Sequence, residues 1–322
     1  MTLLNIDAHF AVFAVVQGPN KDVLKHTTGP FMYINQFKLC SELIRMPIDS
    51  FLRLAEEIGD PHGKLVILSN TGRCGSTLLT QLFEELPHTV AISEPEVLMA
   101  FTHGKEFDDE QPKRRQEILQ ACIRLLCKNH RGQDIKCICI KPKAHAIAVA
   151  KLIYDLYPTS SHLYLYRHPA EYVRSLITVY KSLLHPLARS LMLYLAFDFS
   201  MYDFIMRQFL DSEGRYTSIY EAKMVDSLQY INLRRYVKRF AALFCGNLLA
   251  MLQLQKEENI PMCMISYHEL KVSFCLLHNR PYFGTKSAVC WDAIWTIINT
   301  LYFCRKKKIP IKKCGGFYNT VT

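Results

Sequence analysis

Residues 70–77, Asn70-Thr-Gly-Arg73-Cys74-Gly75-Ser76-Thr77, bring together the residue types needed to hold a phosphate. Gly75 lets the backbone come close to an anion, because no Cβ stands in the way. Ser76 and Thr77 add hydroxyl donors, and Arg73 supplies a positive charge. An apolar run at 65–68 precedes them and reads as a strand buried on both faces. Leu78, Leu79, Leu82, Phe83 and Leu86 then recur at helical spacing until Pro87. Strand, glycine loop and helix in that order converge loop N–H groups and the positive helix end on one point. The ATPase form of such a loop ends in Gly-Lys-Ser/Thr, with the Lys on the outer phosphates and the hydroxyl on magnesium. No Lys follows Gly75, so a nucleotide kinase or ATPase is disfavoured.

A second group lies at 163–175. Arg167 ends an apolar strand, Pro169 opens a helix in the first-turn position that proline favours, and Ser175 follows eight residues after the Arg. Both side chains are thereby expected at the crevice outside the carboxyl ends of the strands, where open α/β sheets bind ligands. A phosphate there suits a bidentate Arg and a hydroxyl donor. Lys141, in Cys139-Ile-Lys141-Pro-Lys143, ends another strand on the same edge and adds a further cation.

The elements that position these residues alternate. Strands are expected at 65–68, 90–92, 135–140, 162–166 and 262–266. Helices are expected at 48–58, from 76 onward, at 116–129, 144–157 and 231–256, with a polar surface loop at 103–115. Strands alternating with helices predict a parallel sheet of about five strands covered on both faces. Residues 181–210 are rich in Leu, Met, Phe and Tyr and read as helices lining an apolar region, while residues 1–46 carry little readable pattern.

Half of the 322 residues are hydrophobic and 21% are charged, which permits a large core and argues against wholesale disorder. The net charge of +10 is concentrated at one end. Residues 271–322 hold nine Lys or Arg and one acid, Asp292, leaving the first 270 near neutral, so the charge gives no reason to expect a nucleic-acid partner. Twelve cysteines lack any Cys-x-x-Cys and read as small core residues, with no metal site expected. The apolar run 9–16 is shorter than the ~20 residues of a spanning helix, and no export signal is visible, so a cytoplasmic location is expected.

The order basic–x–Gly–Ser/Thr–Ser/Thr at 73–77, then Arg167 and Ser175, resembles the sulfotransferases. Those enzymes carry a 5′-phosphosulfate loop followed by a 3′-phosphate motif. The layout is most similar to their tyrosylprotein and carbohydrate types. The resemblance covers about residues 30–270 and is firmest at 64–98 and 135–176; His168 stands where the family usually has Asp. It implies a P-loop NTPase-like three-layer α/β fold and 3′-phosphoadenylyl sulfate as co-substrate, without a metal. Arg73, Cys74, Gly75, Ser76 and Thr77 would hold the phosphosulfate, Arg167 and Ser175 the 3′-phosphate, and Tyr267, in Tyr267-His-Glu-Leu270, the nucleotide or catalytic centre.

By the same resemblance, Lys141 matches the strand-end Lys that works beside Arg73. Glu94, 21 residues after Arg73, falls where the tyrosylprotein type places its base. Glu96 and His145 are the alternatives. The acceptor stays open among small-molecule, carbohydrate and protein-tyrosine hydroxyls, or an amine. The chain then divides into an N-terminal extension and packing helix (1–60), the sulfotransferase-like domain (61–270) and a basic tail (271–322) that departs from the family. Within that tail an apolar stretch, 290–304, runs into Arg305-Lys-Lys-Lys308, which offers a weak membrane contact through 290–308 as a further expectation. The competing reading is a catalytically weak nucleotide- or membrane-binding relative whose nucleotide lid is incomplete.

Overall fold

The computed structural model describes residues 1–16, 22–102, 112–128, 134–183 and 235–270. Residues 184–210 of the apolar region expected at 181–210 and the basic tail at 271–322 lie outside the described residues, as does 103–111 of the expected loop. The described elements belong to one compact unit, Met1–His268, apart from the last two residues.

Five strands form a parallel sheet in the order β5-β6-β4-β7-β8: β4 (Lys64–Asn70), β5 (Thr89–Ser93), β6 (Cys137–Lys141), β7 (Ser161–Tyr166) and β8 (Met262–Ser266). Each matches a strand expected from the apolar runs. Parallel strands are buried on both faces, and β4 is buried at every residue after Lys64. Leu65 and Ile67 on β4 and Ile138 and Ile140 on β6 join one apolar cluster. The intervening Val66 and Leu68 leave the opposite face, as the two-residue period of a strand requires. The sheet is flanked by helices, consistent with a three-layer α/β fold.

The helices are α1 (Met32–Leu39), α2 (Ile48–Ile58), α3 (Ser76–Glu84), α4 (Pro112–Cys127), α5 (Val149–Leu156), α6 (Pro169–Leu183) and α7 (Arg235–Lys256), numbered among the described residues. α2 runs over the predicted residues: Ile48, Phe51 and Ala55 are buried on one stripe, and Gly59 at φ 75° ends it. Two expectations need correction. α4 begins at Pro112 rather than in a loop reaching 115, since proline is well accommodated in a helix's first turn. The helix expected over 144–157 is a short 3-10 turn, Ala144–Ala146, followed by α5. A turn at 147–148 separates the two.

The first 47 residues hold what the sequence left unread. β1 (Thr2–Ile6), β2 (Phe10–Val16) and β3 (Cys40–Pro47) make an antiparallel sheet in that order. The apolar run 9–16 is therefore mostly strand β2. Leu3, Ile6, Ala11 and Phe13 share a cluster with Ile67, Leu119 and Ile123, so this sheet closes the core beside α2 and α4. Among the described residues no helix is long and apolar enough to cross a membrane. The described cysteines are free, and none of the described residues forms a cluster suited to a metal.

Candidate functional site

The loop after β4 is held from both sides. The Asn70 side chain donates to the Pro142 carbonyl after β6 (3.3 Å) and accepts from the Gly72 N–H (2.8 Å), while the Thr71 N–H donates to the Leu165 carbonyl on β7 (3.1 Å). These bonds fix the loop at the carboxyl ends of three adjacent strands, the usual ligand edge of an open α/β sheet. Gly72 and Gly75 take φ 77° and 83°, which only glycine adopts freely. Gly75 precedes α3 directly, and no side chain caps that helix. The Ser76 N–H faces the Cys74 sulfur, and the N–H groups that follow it in the first turn are open to water or a bound oxyanion, so the loop fits an anionic group.

Around this loop the structure brings together most residues singled out from sequence, in two groups. In the first, Arg73 Nε donates to Ser175 Oγ (3.1 Å), and an Arg167 guanidinium nitrogen donates to the Arg73 carbonyl (3.2 Å). The Arg167 guanidinium lies 4.5 Å from the centre of the Tyr267 ring and forms an ion pair with Glu171 (2.8 Å). Three segments distant in sequence, at 73, 167–175 and 267, thus meet at two arginines. Cys74 is fully buried, and burial pushes its thiol above the usual range. It can serve an anion only through its backbone. Ser76 is buried and Thr77 half-buried at the helix start.

The second group lies where β5 and β6 end. Ser93 and Lys141 are register partners, and the chain leaves β5 through Glu94, whose N–H donates to the Lys141 carbonyl (2.7 Å). The Lys141 ammonium donates to the Glu94 carboxylate; Lys141 is 1% exposed and Glu94 17%. Two residues on, Lys143 and Glu96 repeat the pair at 2.5 Å. His145 sits half-buried on the following 3-10 turn. Arg73 and Glu94 both have positive φ, 52° and 53°, a left-handed conformation that costs a non-glycine residue about 1–2 kcal/mol. Such strain persists where the surroundings hold it, and it gathers at functional positions. Among the described residues it falls on one residue from each group and, outside the two groups, on His88 and Asn259.

Sequence reasoning passed over Phe31, Tyr33 and Glu171. Phe31 and Tyr33 stack on one another (5.8 Å, 6° between planes), and each ring faces a lysine: Lys141 lies 4.8 Å from the Phe31 centroid and Lys143 4.1 Å from that of Tyr33. Nothing in residues 1–46 signalled that these rings would reach the strand ends. Glu171 could have been found, since it lies four residues after Arg167, the spacing of helical ion pairs. Asn70, named from the sequence as the start of the loop, accepts from the amide two residues on, the usual role of Asn in a tight turn.

No family model matches the sequence, and no curated protein matches it.

Proposed function

We propose that this chain is a sulfotransferase that uses 3′-phosphoadenylyl sulfate to modify an acceptor hydroxyl or amine. The observation that carries the reading is the Lys141–Glu94 ion pair at the strand ends, beside an uncapped glycine loop with its own arginine cluster. Sulfuryl transfer needs cations on the oxygens that gain charge and a base for the acceptor's proton. Arg73 and Lys141 are the cations, with Ser76, Thr77 and the backbone of Cys74 and Gly75 completing the phosphosulfate cradle. Arg167, Ser175 and Tyr267 form the 3′-phosphate side.

The donor supplies the activated sulfuryl group and leaves as adenosine 3′,5′-bisphosphate. Glu94 takes the proton of the acceptor as the acceptor oxygen bonds to sulfur and the sulfur–bridging oxygen bond breaks. Glu94 is preferred over Glu96 because its partner Lys141 is buried at the end of a sheet strand, whereas Lys143 and Glu96 lie further out at 20% and 23% exposure. Preorganised donors of this kind are worth on the order of 10²–10³ in rate each. A cytoplasmic setting and an acceptor of small-molecule, carbohydrate or protein-tyrosine type accompany this reading.

Calorimetric titration with adenosine 3′,5′-bisphosphate, set against ATP with magnesium, tests it. Micromolar bisphosphate binding that Arg167→Ala abolishes, with ATP weak, supports the proposal. A preference for ATP sinks it in favour of a kinase, and no binding by folded protein points to a relative that keeps the fold without the chemistry.

A further inference from the structure

The lysines at and just after the end of β6 are held both along the backbone and at their ammonium groups. The side-chain amide of Asn70 donates to the Pro142 carbonyl (3.3 Å), and that of Asn247 on α7 donates to the Ala144 carbonyl (2.5 Å). Each ammonium then meets a carboxylate and a ring face: Glu94 and Phe31 for Lys141, Glu96 and Tyr33 for Lys143. The rings are fastened in turn. Gln36 on α1 is fully buried, and its amide donates to the Thr2 hydroxyl (3.1 Å) and the Leu3 carbonyl (2.8 Å) of β1. The chain before α1 wraps around Asn35, whose amide donates to the carbonyls of Val23 (3.0 Å) and Gly29 (3.1 Å). A Cβ at Gly29 would stand 2.2 Å from Asn35 Oδ1, so the wrap needs glycine there. His26 is bound to Glu84 on α3 through both its ring (2.8 Å) and its backbone N–H (3.1 Å). Phe31 and Tyr33, 5.8 Å apart and nearly parallel, brace one another.

Sulfuryl transfer changes the charge that Lys141 sees. At rest its ammonium, 1% exposed, is neutralised by Glu94. In the transfer the acceptor's proton passes to Glu94 while the acceptor oxygen bonds to sulfur. The sulfur–bridging oxygen bond breaks, and its electron pair stays on that oxygen of the departing bisphosphate. Glu94 is then neutral, and the ammonium must meet the new charge on the leaving oxygen. A misplacement of about 1 Å at this point can cost on the order of 100-fold in rate. The Phe31 ring, 4.8 Å from the ammonium, attracts it whatever the protonation state of Glu94, because the negative ring face is a fixed property of the side chain.

We propose that Phe31 is a positioning residue for Lys141: its ring face keeps the ammonium in place while Glu94 takes up the acceptor's proton. Tyr33 braces that ring and seats Lys143 in the same way. The N-terminal segment 22–35 is thereby a working part of the site, although it precedes the glycine loop by some 40 residues and belongs to no strand of the parallel sheet. The inference rests on the transferase reading above. Its distinguishing demand is electronic, since a side chain that merely packs is indifferent to the charge on its ring face.

The test reads Lys141 itself, through its rate of acetylation by acetic anhydride on the full chain, followed by tandem mass spectrometry. Ring-trifluorinated phenylalanine at position 31 keeps the shape of the side chain and removes the negative charge of its face. In the wild-type background it should change the rate by less than about 2-fold, because Glu94 still holds the ammonium. With Glu94→Gln, which mimics the protonated carboxylate, it should raise the rate about 10-fold, whereas Phe31→Trp should not. In the wild-type background, release of sulfate from 3′-phosphoadenylyl sulfate to water should fall about 10-fold with the fluorinated ring, at unchanged affinity for adenosine 3′,5′-bisphosphate. Equal acetylation of the Glu94→Gln protein with either ring overturns the inference, and so does unchanged sulfate release. Both leave the transferase reading standing where the bisphosphate binds normally. Absence of bisphosphate binding by the wild-type protein overturns that reading and this inference together.

Discussion

The Lys141–Glu94 pair makes the sharpest demand on stability. Replacing Glu94 with Gln keeps the shape and an acceptor oxygen but leaves the Lys141 ammonium, 1% exposed, without its counter-ion. Removing one partner of a buried pair costs about 3–5 kcal/mol. The Phe31 ring face, 4.8 Å from the ammonium, offsets about 1 kcal/mol of this, and the retained amide oxygen keeps a hydrogen bond, so a loss near 3 kcal/mol is expected. At roughly 2–4 °C per kcal/mol for a chain of this size, Glu94→Gln should melt about 6–12 °C lower. Lys141→Met should cost far less, because the carboxylate left behind still reaches water at 17% exposure and the apolar stem stays packed. Thermal unfolding followed by circular dichroism on wild type, both single variants and the double variant reads this directly. The double variant should resemble Lys141→Met. If Glu94→Gln melts within about 2 °C of wild type, less than the shift expected for 1 kcal/mol, or Lys141→Met loses more, the pair is not the buried ion pair on which the mechanism depends.

Further outcomes follow from neighbouring features. Burial lowers His162 to about 4 from its usual 6.5, and its Nδ1 has no partner. The neutral ring thus contributes stability that is complete above pH 6.5 and is lost as pH falls toward 4. Between pH 7 and pH 5 the linkage amounts to about 2 kcal/mol, and denaturant melts of His162→Gln should lack that part of the pH dependence. Glu171 competes with any anion for Arg167, so Glu171→Gln should tighten adenosine 3′,5′-bisphosphate binding by about 2- to 5-fold at low salt and less at high salt, as titrations at two ionic strengths will report. Asn247 on α7 accepts from the Tyr164 hydroxyl (2.6 Å) and donates to the Ala144 carbonyl (2.5 Å). Asn247→Leu, which strands both, should cost about 2–4 kcal/mol in a urea melt, and a loss under about 1 kcal/mol would show that water replaces the amide.

Much of the sheet was legible because parallel strands, buried on both faces, write continuous apolar runs such as 65–68 and 162–166 into the chain. α2 and α3 were legible because a buried stripe repeats every three or four residues and ends at Gly59 or just before Pro87. The loop of glycines and Arg73, and the Arg167-to-Ser175 spacing, were legible as local patterns. What stayed hidden was the antiparallel sheet of the first 47 residues. β3 has no buried residue, only half-buried and exposed ones, so its apolar pattern is weak, and the link between β2 and β3 is α1 rather than a tight turn.

The sequence by itself determined the chemistry on offer: a glycine loop with its arginine, a strand-end lysine, and carboxylates two residues apart at 94 and 96. Tertiary structure alone decided which of these meet. The register of β5 on β6 sets Ser93 beside Lys141, and the turn after β5 delivers Glu94 rather than Glu96 to that buried lysine. The packing of residues 22–33 brings His26, Phe31 and Tyr33 from an unreadable segment to the same edge. Local patterns encode which side chains lie on one strand or helix face. The pairing of elements distant along the chain depends on how their faces bury one another, and no short window of sequence carries that information.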